Sequence, residues 1–203
     1  METEKKIVPE NGTKKLNTNM IVGLGLLTAI VIVLQALAIG IRFGVFNITL
    51  VLVPIVVGAA LYGWKAGAWL GAVFGVVVLL TDAGAFLAIN VPGTIITCVL
   101  KGALAGLVAG VIYNALENKN KWAAVVCAAV AAPVVNTGVF LIGCSVFFLD
   151  TIKAWGEGAG FDNVFVYMIV GFVGVNFLVE MAINLVLSST IVRLVDLGRK
   201  SRA

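Results

Sequence analysis

Apolar residues run along this chain in six stretches, at about 20–40, 47–62, 64–82, 94–115, 122–148 and 165–194, separated by short polar or charged segments. A helix needs ~20 mostly apolar residues to cross a bilayer, and most of these runs approach or exceed that length. They are continuously apolar, without the alternation of a membrane β-barrel strand. The pattern predicts an all-α membrane protein with six transmembrane helices. The second and third stretches are short and are divided only by Tyr62-Gly63-Trp64-Lys65, which reads as a tight turn. Pro54 and Pro133 fall inside the second and fifth, where each is expected to kink its helix or free a backbone carbonyl. Lys14-Lys15, an apolar run and Ala36-Leu37-Ala38 share features with a cleaved secretion signal. The run from Met20 to Gly40 is longer than a usual signal core and contains Gln35, so a retained helix is expected.

Composition agrees. Hydrophobic residues make up 61% and charged residues 12%, with a mean hydropathy of +1.11. A soluble domain of that composition would leave too much apolar surface facing water. Charges gather at the ends, from Glu2 to Lys15 and from Arg193 to Arg202, which predicts a tail over 1–19, one membrane domain over 20–195 and a second tail over 196–203. With the N-terminus placed in the cytoplasm, Lys5, Lys6, Lys14, Lys15, Lys65, Lys119, Lys121, Arg193, Arg199, Lys200 and Arg202 are all cytoplasmic. Only Arg42 and Lys153 fall outside, and Lys101 lies within a span. That bias predicts both termini in the cytoplasm. The same placement makes the net charge of +4 a membrane-flanking feature and not a nucleic-acid footprint.

Several chemistries are excluded. There is no histidine, which removes a Ser–His dyad, a His metal cluster and a His proton relay. No G-x-x-x-x-G-K-[ST] loop occurs, so the chain should not hydrolyse ATP itself. Cys98, Cys127 and Cys144 each lie inside a predicted span and read as core packing residues. Neither a catalytic set nor a metal or cofactor site is visible.

Small residues recur at four-residue spacing: Gly63, Gly67, Gly71 and Gly75 on the third span, and Gly102, Gly106 and Gly110 on the fourth. Such rows let neighbouring backbones approach closely, which argues packing by itself. Gly25 and Ala29 form a further small pair on the first span, a packing face or a docking face for another membrane subunit.

The stretch from Leu52 to Gly71, an apolar helix with Pro54 and Gly58 followed by Tyr62-Gly63-Trp64-Lys65-Ala66-Gly67 and Gly71, resembles the second-to-third helix region of substrate-binding (S) components of energy-coupling factor (ECF) vitamin transporters. Trp64 stands where proline is usual. Length, six spans and the lack of an ATPase motif agree with the resemblance. It implies a subunit that captures a vitamin at its outer face. That subunit would dock on a transmembrane coupling subunit carrying two cytoplasmic ATPases, in the bacterial plasma membrane. It also implies a docking role for Gly25 and Ala29, which match the family's A-x-x-x-A pair with one Ala-to-Gly departure.

Polar groups inside apolar spans are costly and are default site candidates. Lys101 lies about seven residues past the outer end of the fourth span, ~10 Å deep. Thr94 and Thr97 lie near its face. It reads as a partner for a ligand carboxylate, as a snorkelling cation, or as a partner of Glu180. Asn176, Glu180 and Asn184 form a stripe at i, i+4 and i+8. Asn176, the outermost, is the ligand candidate, and an interhelical hydrogen-bonding seam is the alternative. Asn136-Thr137 follows the Pro133 kink, with Phe140 and Phe147 outward of it as possible pocket walls. Gln35 lies one turn below the first outer loop. Arg42 and Asn90 sit in outer loops, as lid contacts or solvated surface. The outer connections, Ile41–Phe46, Ala83–Gly93 and Leu149–Val164, are longer than the inner turns, which reads as a lid over an outward-facing site or as passive connection.

One basic residue at pocket depth suits a monocarboxylate. The outer acidic residues Asp82, Asp150, Glu157 and Asp162 argue against a strongly polyanionic ligand. Aromatic residues are 9%, with few clustered where a large flavin ring would stack. Pantothenate is the first expectation; folate, riboflavin and other vitamins stay open. The rival classes are a stand-alone secondary transporter or channel, for which no inverted repeat is visible, and an intramembrane enzyme.

Overall fold

A computed structural model describes residues 18–38, 42–43, 46–47 and 50–200. Among the described residues, five helices are long and apolar enough to cross a membrane: α1 (Thr18–Ala38), α3 (Trp64–Thr81), α5 (Val91–Leu116), α6 (Lys121–Phe147) and α9 (Gly174–Lys200). The predicted second span appears as a shorter helix, α2 (Leu52–Tyr62). At 1.5 Å per residue its 11 residues rise ~16 Å, about half a hydrocarbon core. Its position explains how so short a helix is stable. Leu52 and every residue from Pro54 to Ala60 are buried, and α2 packs against α1, α3, α5, α6 and α9. A helix apolar on all sides belongs in an interior, and backbone outside helices is tolerated at membrane depth where protein surrounds it.

Pro54 corrects an expectation. With α2 beginning at Leu52, it sits in the first turn, where its missing N–H has no intrahelical partner to lose, so no interior kink follows. Pro133 does lie inside α6. The α2–α3 connection narrows to one residue, Gly63, at φ +88° and ψ 174°, a conformation that disfavours any side chain. Its N–H closes α2 on the Ala59 carbonyl, and its own carbonyl accepts from Ala66 and Gly67 to open α3.

The glycine rows meet. A Cβ on Gly71 would overlap the Gly102 carbonyl, one on Gly67 the Gly106 carbonyl, and one on Gly75 the Cys98 carbonyl. α3 and α5 therefore pack backbone to backbone. They form the rigid pair against which α6 and then α9 are laid. Large aliphatic side chains face outward along every long helix, among them Val22 and Leu26 on α1, Leu80 on α3, Ile142 and Val146 on α6 and Val186 on α9. The polar residues Gln35, Thr94, Thr97, Asn136, Glu180, Asn184 and Ser188 are buried. Apolar outside and polar inside is the arrangement a bilayer selects.

The two ends of the bundle differ. One carries the Gly63 turn and the short link between α5 and α6. There Arg199 of α9 pairs with Glu117, and Lys121 lies 3.3 Å from Asp196. The other end carries the long connections, which hold structure of their own. β1 (Arg42–Phe43) and β2 (Phe46–Asn47) pair antiparallel; α4 (Gly84–Leu87) and α7 (Leu149–Gly158) are short helices. The last predicted span is broken. α8 (Val164–Val166) runs into a π-helical segment, Tyr167–Phe172, whose wide turn closes with the Val173 N–H on the Met168 carbonyl at 3.2 Å, and α9 begins after it. Helix α9 continues to Lys200, past the expected boundary at 195.

Cys98 and Cys144 are buried as expected, but Cys127 is exposed on α6 and packs no core.

Candidate substrate-binding cavity

Beneath the long-connection end lies a cavity of about 200 Å³. Its wall draws on α1 (Gln35), α3 (Phe74, Val78), the α3 C-cap (Asp82), α5 (Lys101), α6 (Asn136, Thr137, Phe140), the π segment and the residue after it (Phe172, Val173), and α9 (Asn176, Glu180). Four residues read from sequence as site candidates, Gln35, Lys101, Asn136 and Asn176, thus converge on one space from four helices.

Lys101 lies ten residues past the start of α5, ~15 Å along the helix, deeper than the sequence boundary implied. Its Nζ stands 4.9 Å from the Phe140 ring centre and 5.8 Å from that of Phe74. Two aromatic faces hold the ammonium at the cavity wall, a favourable charge–quadrupole contact. Among the described residues it forms no salt bridge, with Glu180 or any other carboxylate.

Asp82 caps α3, and Gln35 Nε2 donates to its Oδ2 at 2.7 Å, with Thr81 Oγ1 at 3.3 Å from the same oxygen. Gln35 is 1% exposed. Its Oε1, with Asn136 Oδ1 and Asn176 Oδ1, is shielded from solvent and finds no hydrogen-bond donor among the described residues. Each such orphan costs roughly 1–3 kcal/mol, so three around one cavity form a wall complementary to a guest. Asn184 does not reach the cavity; its Nδ2 donates back to the Glu180 carbonyl at 2.9 Å.

Above the cavity Phe86 of α4 gathers Phe148, Trp155, Phe140 and Phe172 at ring separations of 4.9, 5.7, 5.9 and 6.3 Å. Phe140 and Phe172 stack at 5.9 Å, 29° apart. Sequence reading expected few clustered aromatic residues; this roof gathers five. Ile152 of α7 is fully buried beneath the loop end, so the last of the long connections is packed onto the bundle. A larger groove of about 470 Å³ runs between α1, α2 and α9, but its lining is nearly all aliphatic and offers little to orient a polar solute.

Over residues 19–192 the chain matches the family described as ECF transporter, substrate-specific component. The chain belongs to that family. No curated protein sequence matches it. As an ECF substrate-specific component it is a multi-pass membrane protein and the substrate-capture subunit of a transporter, not an enzyme. Membership implies association with an ECF membrane coupling subunit and its ATPases.

Within this S component the remaining sequence candidates separate. Asn90 lies outside the cavity: its Oδ1 accepts from the Gly93 N–H at 2.9 Å as the N-cap of α5. The Asn-Val-Pro start of α5 carries that signal in sequence, a capping residue followed by proline in the first turn. Thr94 donates to the Asn90 carbonyl, and Thr97 fills the space over Gly143 of α6. Phe147 packs on Gly93 and does not line the cavity. The Arg42 side chain lies outside the described residues. Gly25 and Ala29 are both exposed, and a Cβ on Gly25 would meet nothing. Sequence reading did not place Phe74 and Phe172 at the site, and took Asp82 only as an outer acid.

Proposed function

We propose that this subunit captures a small carboxylated vitamin from the outer side of a bacterial plasma membrane, with pantothenate the first candidate. It passes the vitamin on through a coupling subunit driven by two cytoplasmic ATPases. The observation that carries the reading is Lys101: a cation at the wall of a polar cavity, cradled by two aromatic rings, with no described carboxylate paired to it. A ligand carboxylate offsets the cost of a charge at that depth. The cavity volume lies below the ~300–1,000 Å³ usual for ligand pockets, which favours a compact solute over folate. Asp82 and Glu180 in the same wall disfavour a polyanion.

The orientation proposed here follows the lysine and arginine bias: six membrane-embedded helices, both termini cytoplasmic, and the cavity end outward. Gly25 and Ala29, exposed on α1, form the docking face for the coupling subunit.

The test is direct. The protein is purified without added vitamin, and the molecule it carries is identified by mass spectrometry. Binding of pantothenate is then measured by calorimetry. A co-purified molecule without a carboxylate, together with no pantothenate binding, overturns the reading. Uptake by the chain alone in liposomes, without ATP or partners, restores the stand-alone transporter.

A further inference from the structure

Resting on the capture reading above, we infer that Gln35 is a specificity-determining residue that accepts a hydrogen bond from an O–H or N–H of the ligand, so that the substrate must carry such a donor as well as its carboxylate. Three observations support this. First, the orientation of the Gln35 amide is fixed. A carboxylate accepts hydrogen bonds and cannot donate one, so the end of Gln35 that lies 2.7 Å from Asp82 Oδ2 is the NH2 end. Second, the opposite end, Oε1, is fully shielded and has no donor among the described residues. Third, both Gln35 and Asp82 line the cavity that holds Lys101.

Asp82 acts here as a positioning residue. By holding the NH2 group it fixes which end of Gln35 is Oε1, and that end can only accept. The Asn136 and Asn176 amides, whose Oδ1 atoms also find no donor among the described residues, add further hydrogen-bonding groups on the α6 and α9 sides. A ligand with a carboxylate alone satisfies Lys101 and leaves these oxygens buried without partners. One that also carries hydroxyl or amide donors satisfies both. Selectivity follows because a buried acceptor left unpaired penalises the analogue lacking the donor.

The experiment compares pantothenate with a deoxy analogue in which both hydroxyls are replaced by hydrogen and the amide nitrogen is methylated, so that no O–H or N–H donor remains, on the full chain and on Gln35→Met. The full chain should bind pantothenate about 10- to 100-fold more tightly than the deoxy analogue. Gln35→Met should lose much of that preference by weakening pantothenate while leaving the deoxy analogue unchanged. Asp82→Asn, which lets the Gln35 amide turn, should also erode it. An equal loss on both ligands overturns the inference. A ligand-free readout stands beside it. The melting temperature of apo Gln35→Met should change little, because the hydrogen bond to Asp82 that it gives up offsets the buried orphan acceptor that it removes; a large fall together with an equal loss on both ligands makes Gln35 structural. If the full chain does not bind pantothenate, the vitamin assignment fails, and the co-purified molecule decides the inference separately. A carboxylate with an O–H or N–H donor sustains it, and one without a donor sinks it.

Discussion

The Lys101 ammonium, on α5, stands 4.9 Å from the centre of the Phe140 ring, on α6. The two helices thus bring a cation and a π face to one wall of the cavity. Lys101→Met keeps the apolar stem and removes the charge. Ligand affinity should fall by ~2–4 kcal/mol, the range for truncating one member of a buried charge pair. Apo stability should hold, since no described carboxylate is stranded. Calorimetry beside an apo melting curve checks both; unchanged affinity with a lowered melting temperature would remove Lys101 from the site.

Gly71 lies against the Gly102 carbonyl, with no room for a methyl group. Gly71→Ala should force α3 and α5 apart and cost ~1–3 kcal/mol, as overpacking does. Unfolding of the purified protein in mixed detergent measures it. A Gly71→Ala protein as stable as the parent would mean the two backbones are less closely packed than described.

Gly25 faces outward with open space around it. Gly25→Leu, and likewise Ala29→Leu, should leave stability and ligand affinity nearly unchanged while abolishing uptake by the assembled transporter. The reason is steric, since a partner helix can no longer approach. A parallel loss of ligand affinity would make this pair a bundle-packing feature.

Single cysteines at Lys119 and Glu157, in a background without Cys98, Cys127 and Cys144, should react with a membrane-impermeant thiol reagent from opposite sides of the membrane. Removing Cys127 matters most, because it is exposed on α6. Labelling of position 157 from the cytoplasm would invert the proposed orientation.

The sequence made the framework legible because a bilayer makes polar residues expensive. Gln35, Lys101, Asn136 and Asn176 stood out from apolar runs, and all four meet at one cavity. The glycine rows were legible as packing for a similar reason: four-residue spacing leaves few other uses. Asp82 read only as one of several outer acids because a carboxylate at a span end resembles any surface acid; the Gln35 contact, 47 residues away in the chain, sets it in the wall. Phe74 and Phe172 are aromatic positions in apolar runs and carry no mark of which way they face. Phe86, Trp155 and Phe148 come from two different connections or their edges, and no local pattern joins them. Asn90 was ambiguous because the amide that caps a helix is also the amide that binds a ligand.

The π-helical segment ahead of α9 has a consequence for how this site varies. A π turn houses one residue more than the α-helix around it, so everything beyond Phe172 is rotated by about 100° from where an unbroken helix would place it. Loss of a single residue between Tyr167 and Phe172 would therefore turn Asn176 and Glu180 off the cavity together and bring another column of α9 to face it. A one-codon deletion there would exchange the whole α9 contribution to the ligand at once, with the glycine-packed α3–α5 pair left as it is.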